Sequence, residues 1–101
     1  MKVVILLKPT NERGTKTAYT KFRKLLIKEG FLMIQAEVYL KTISTRKAAE
    51  REILKLSKNA PDTGTIVAYK LTETQYNNLV YITGEKSIQE SIVGSNKVIQ
   101  L

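Results

Sequence analysis

The stretch from Phe31 to Ile43, FLMIQAEVYLKTI, constrains the fold more than any other part of this chain. It is rich in residues that favour extended backbone, yet it is too long for one ordinary strand. Its character changes at Gln35-Ala36-Glu37, where three apolar-poor positions interrupt the run. Such a pattern describes two strands joined by a tight turn or bulge, or one strand bent at its centre.

The flanking segments set the order of elements. Val3 to Leu7 is a continuous apolar run closed by Lys8-Pro9, which predicts a strand buried on both faces. Thr10 to Thr17 is polar and holds Gly14, so it is a loop. From Thr17 to Glu29 the period becomes helical. Ala18, Tyr19, Phe22, Leu25 and Leu26 share one side, Thr20, Lys24 and Lys28 face away, and Lys21 and Arg23 lie on the flanks. Gly30 is a natural stop just beyond.

After the paired strands, Ser44 or Thr45 can cap a second helix. Ala49, Ile53 and Leu56 make its core stripe, and Arg46, Lys47, Arg51, Lys55 and Lys58 are its solvated remainder. Asn59 to Gly64 reads as a turn and Thr65 to Leu71 as a strand. Thr72-Glu73-Thr74-Gln75 has the form of a capping box, so a short helical turn follows. Leu79 to Thr83 reads as a short strand, Gly84 to Asn96 as a polar loop, and Lys97 to Leu101 as a last strand. The order is β-α-β-β-α-β with extra short strands. This is the ferredoxin-like α+β pattern, one antiparallel sheet with two helices on one face. The other sheet face is left open. Val3, Ile5, Met33 and Tyr69 are candidates to line it, and a homodimer through that face would cover it.

Composition narrows the chemistry. The 101 residues fit one domain spanning 1–101, and 43% are hydrophobic, enough for a core. There is no cysteine and no histidine, which removes disulfides, thiolate metal sites and the commonest general base. The 17 lysines and arginines outnumber nine acids, for a net charge of +8. That balance points to a polyanionic partner, nucleic acid first. No segment has the length of a membrane span and the first apolar run is too short for a signal peptide, so the expected location is cytoplasmic.

Ala18 to Tyr39, AYTKFRKLLIKEGFLMIQAEVY, closely resembles the central block of the Cas two family of small CRISPR-associated adaptation proteins. In that block an aromatic-x-x-Phe-Arg-Lys helix runs into Gly-Phe and then a strand with Gln-x-x-Val-Tyr. Thr63 to Gly84, TGTIVAYKLTETQYNNLVYITG, resembles the family's strand-turn-helix-strand tail, and KVIQL its final strand. The likeness covers nearly the whole chain and is greatest to the branch that accompanies single-effector, type II systems.

The resemblance implies a ferredoxin-like homodimer. In the family that dimer sits between two dimers of the adaptation integrase. Together they hold a short DNA duplex and insert it into the CRISPR array as a new spacer. Some members are metal-dependent nucleases of RNA or DNA. That activity rests on an Asp at the end of the first strand, in a Phe-Asp-x-Pro setting, where the two Asp of the dimer can share a Mg²⁺. This chain departs there. Aligned on Pro9 the position is Leu7, aligned on Met1 it is Lys8, and the family's Ser after Gln-x is Glu37. Mg²⁺ needs hard oxygen ligands, usually a carboxylate or two, and neither Leu nor Lys supplies one.

The expected function is therefore a DNA-bridging subunit of spacer acquisition with no catalytic residue and no metal ligand. Its partners would be double-stranded DNA and the integrase, with the strand 97–101 docking on a partner. Phosphate contacts are expected from Lys8, Arg13 and Lys16 around the first loop, near a positive helix end, and from Lys21 and Lys24 on the first helix. The alternative is the family's Mg-dependent endonuclease.

Overall fold

The computed structural model describes residues 1–84. Seven elements follow one another: β1 (Lys2–Lys8), α1 (Thr15–Lys28), β2 (Leu32–Gln35), β3 (Val38–Thr42), α2 (Arg46–Ser57), β4 (Thr65–Leu71) and α3 (Glu73–Asn77). The strands form one sheet in the order β2-β3-β1-β4, with every neighbouring pair antiparallel. This is the ferredoxin-like arrangement, and among the described residues β1 is in the interior and β4 at an edge.

One core joins the helices to one sheet face. Val3, Ile5 and Leu7 of β1 and Tyr39 of β3 pack with Tyr19, Phe22 and Leu26 of α1 and with Ala49 and Leu56 of α2. Apolar burial of this kind contributes about 25 cal/mol per Å² and dominates the stability of so small a domain. α1 ends where Gly30, at φ 94, turns the chain back. The Gly30 N–H bonds the Ile27 carbonyl at 3.0 Å and the Phe31 N–H bonds the Leu26 carbonyl at 2.9 Å, satisfying carbonyls that the helix end leaves free.

The Phe31–Ile43 stretch folds as two strands with both features considered for it. Ala36 and Glu37 form the turn, and a bulge lies between Met33 and Gln35, leaving Ile34 without an opposite residue. Of the two cap candidates for α2, Thr45 is the cap, accepting from the Ala48 N–H at 3.0 Å. The capping box at Thr72 is present in full. Its hydroxyl accepts from the Gln75 N–H at 3.1 Å, and the Gln75 side chain accepts from the Thr72 N–H at 2.9 Å.

Three expectations change. α1 begins at Thr15, two residues early, with Gly14 before it at φ 83. Thr15 is buried and its hydroxyl meets that of Thr63 at 2.7 Å, so a polar residue opens the helix by bonding inward. Leu79 to Thr83 is not a strand. Among the described residues it pairs with neither edge of the sheet, and Ile82 is 96% exposed. Third, Val3 and Ile5 lie under the helices, not on the open face, and Met33 pairs with the core residue Tyr39. The register puts Val4 opposite Tyr69 and Leu6 opposite Val67, and these four belong to the open face. A continuous apolar run carries no phase, so its parity could not be read. The segment 85–101, with the loop after Gly84 and the strand 97–101, lies outside the described residues.

Candidate nucleic-acid interface at the β1–α1 loop

Lys8-Pro9 closes β1 because proline supplies no N–H to continue a ladder. The chain then bends over the N-terminal half of α1 and leaves a cleft of about 350 Å³. Pro9 to Glu12 form one wall, and Thr15, Lys16, Tyr19 and Arg23 of α1 form the other. Helical spacing explains the second wall, since positions 16, 19 and 23 share one flank.

The cleft is held from behind by the turn before β4. The Tyr19 hydroxyl donates to the Thr63 carbonyl at 2.7 Å. Gly64 follows at φ 78, and a Cβ there would lie 2.3 Å from Tyr19 Oη and 2.6 Å from the Lys8 carbonyl oxygen. Only glycine permits this approach. Burial raises the Tyr19 and Tyr39 phenols above their ordinary value, so both are neutral near pH 7.

Among the described acids, Glu12, which lines the cleft, and Asp62 form no ion pair, and the other five do. Glu29, Glu37, Glu50, Glu52 and Glu73 each meet a cation: Lys55 at 3.0 Å, Arg23 at 2.7 Å, Lys70 at 3.7 Å, Lys41 at 2.5 Å and Lys2 at 2.9 Å. The five sequence candidates, Lys8, Arg13, Lys16, Lys21 and Lys24, are exposed and form no ion pair among the described residues. Of these five, Lys16 lines the cleft. Lys8, the last residue of β1, and Arg13, on the following loop, do not line it. Lys21 and Lys24 lie on the side of α1 away from its buried Thr15, Tyr19, Phe22 and Leu26, so the set is a basic surface around the cleft rather than a single cluster.

Arg23 is the cleft cation that the sequence left on a helix flank. Its Nε donates to Glu37 Oε1 at 2.9 Å and its Nη2 to Oε2 at 2.7 Å. This hydrogen bonding raises the guanidinium pKa further above its ordinary value. Fourteen residues separate the partners, so no local pattern announces the pair. The shared flank of Lys16, Tyr19 and Arg23 was the available signal.

The residues present do not fit Mg²⁺. Leu7 is buried in the core, and Lys8 places an ammonium group at the strand end. Glu37 lies close, since its carbonyl accepts from the Leu7 N–H at 2.9 Å, but its carboxylate is committed to Arg23. Among the described residues no group of three or more acids could hold a metal. None of their helices is long and apolar enough to cross a membrane.

Comparison with known proteins agrees with this architecture. Residues 11–79 match the family model described as CRISPR associated protein Cas2. The chain is 36% identical over 87 residues to the CRISPR-associated endoribonuclease Cas2 of Streptococcus mutans, covering 85% of this chain and 80% of that protein. It is also 36% identical over 87 residues to the protein of the same name from Ligilactobacillus salivarius, covering 85% and 86%. The likeness to the Acidovorax ebreus protein of that name is 29% over 90 residues, covering 89% and 88%. With its sheet order and these matches, the chain belongs to the Cas2 family of CRISPR defence.

Proposed function

We propose that this chain is a duplex-binding, non-catalytic subunit of the machinery that acquires CRISPR spacers. In this reading it works in the cytoplasm as a homodimer, gripping double-stranded DNA through phosphates and bridging copies of the integrase. The observation that carries the reading is the charge pattern at the end of β1. Lys8, Arg13 and Lys16 lack acid partners among the described residues, while the metal-bearing position of the family is filled by Leu7 or Lys8. A two-fold dimer would present this basic surface twice. β4, at an edge of the sheet among the described residues, is compatible with docking of the segment 97–101 from a partner.

Duplex binding measured across a salt series tests it. Affinity should be indifferent to sequence, and log K should fall with log salt by about 0.9 per contacted phosphate. Replacing Arg13 and Lys16 together by Ala should weaken binding to all sequences alike. Absence of salt-dependent binding, alone and with the integrase, defeats the proposal. The relatives' name, endoribonuclease, favours a second reading as a metal-dependent nuclease. Incubation with RNA or DNA over a Mg²⁺ titration separates the two, because metal-dependent cleavage lost on Glu12 or Glu37 replacement belongs to the second alone.

A further inference from the structure

Glu37 is the one non-glycine residue with a left-handed backbone among the described residues, at φ 63. A two-residue hairpin turn ordinarily places Gly, Asn or Asp in such a position. Glutamate offers the turn no comparable help, so its carboxylate is the feature to explain. That carboxylate takes both the Nε and Nη2 donors of Arg23 in a planar fork. The pair is then fixed on each side. The Glu37 carbonyl holds the Leu7 N–H at 2.9 Å, and the Arg23 guanidinium carbon lies 6.0 Å from the ring centre of Tyr19. Tyr19 is itself tied to Thr63.

A guanidinium carries five N–H donors, and Glu37 uses two. Arg23 remains a third exposed and lines the cleft beside Lys16. We propose that Arg23 is a phosphate-binding residue of this cleft, and that Glu37 is its positioning residue, orienting the remaining donors toward a backbone phosphate of the duplex. This rests on the duplex-binding function above and adds a contact that lies beyond the exposed loop cations. The cost of neutralising a cation with a carboxylate is offset by order, since an oriented fork loses less freedom when it engages phosphate.

The test is fluorescence anisotropy of a labelled duplex with the full chain over a salt series. Arg23→Ala should lower affinity about tenfold and reduce the slope of log K against log salt by about 0.9. Arg23→Lys should keep the slope and still lose affinity, because a point charge cannot replace the fork. Glu37→Gln should lower affinity with the slope nearly unchanged. Removing a negative charge by itself strengthens binding to a polyanion, so a loss here reports orientation. A gain on Glu37→Gln, or an Arg23→Ala slope equal to wild type, overturns the proposal. Should either variant fail to fold, Arg23→Lys decides, and binding equal to wild type refutes the assignment. If Arg13→Ala/Lys16→Ala weakens binding and the Arg23 variants do not, the Arg23 assignment alone fails. If wild type shows no salt-dependent binding, both readings fall.

Discussion

A methyl group at Gly64 would collide with two atoms that cannot easily leave. Tyr19 Oη is bonded to Thr63 and buried, and the Lys8 carbonyl belongs to the end of β1. The positive φ adds a backbone penalty for any side chain. Gly64→Ala should therefore destabilise the chain by about 3 kcal/mol, the sum of left-handed strain and overpacking. Urea denaturation at neutral pH reads this directly, and a loss within 0.5 kcal/mol, about the range of an ordinary surface change, would show that the turn relaxes freely. The sequence announces Gly64 as a turn residue but not as a close approach. The atoms it meets lie about fifty positions away, and no local pattern encodes them. Arg23 and Glu37 were obscure for the same reason, since each looks like an ordinary surface charge until the hairpin folds back over α1.

Where an element is decided by neighbours along the chain, the sequence was legible. Thr72 and Gln75 are three positions apart and close a capping box on each other, so α3 could be placed from those two residues. Gly30 likewise marks the end of α1. Leu79 to Thr83 misled because strand propensity is context-dependent, and the chain brings this run to neither sheet edge among the described residues. How α3 attaches to the sheet was hidden, for it depends on the first residues of the chain. Glu73 accepts from Lys2 Nζ at 2.9 Å and lies 3.2 Å from the N-terminal ammonium. Lys2 is buried, bonds Thr42 Oγ1 at 3.0 Å, and stands 5.3 Å from the ring centre of Tyr76. The Lys2 hydrogen bond, followed by the ammonium group, holds the Glu73 carboxyl below its ordinary value of 4.5. The stabilisation is thus present above that value and is lost as pH falls through the lower value of the folded state. Glu73→Gln should lower stability at pH 7 and flatten its decline in acid. Thermal melts of both proteins from pH 7 down to about 3 check this against the range where carboxylates titrate. Parallel curves would show that Glu73 does not anchor α3.

At the scale of the whole molecule, the proposed association and the proposed DNA binding pull against each other. The chain carries a net charge of +8, so pairing two copies brings like charges together. The open sheet face offers the opposing force, with Val67 36% and Tyr69 52% exposed beside half-buried Val4 and Leu6. If the proposed homodimer forms there, salt acts on its two equilibria with opposite sign. Screening strengthens the dimer by reducing repulsion, while counterion release weakens its hold on DNA. Sedimentation equilibrium between about 50 and 500 mM salt, a span over which the Debye length shrinks severalfold, should show tighter dimers at the higher value. Tyr69→Glu should weaken dimerisation by at least about tenfold, since it places a carboxylate in an apolar contact. It should leave the melting of the monomer nearly unchanged, because the side chain is half exposed before association. Unchanged dimers in that variant would move the interface away from this face, with the edge of β4 that no described residue pairs as the next surface to alter. The two salt dependences together then separate a protein that grips DNA as a preformed pair from one that pairs only on DNA. The first loses DNA as salt rises while remaining dimeric, and the second loses both at once.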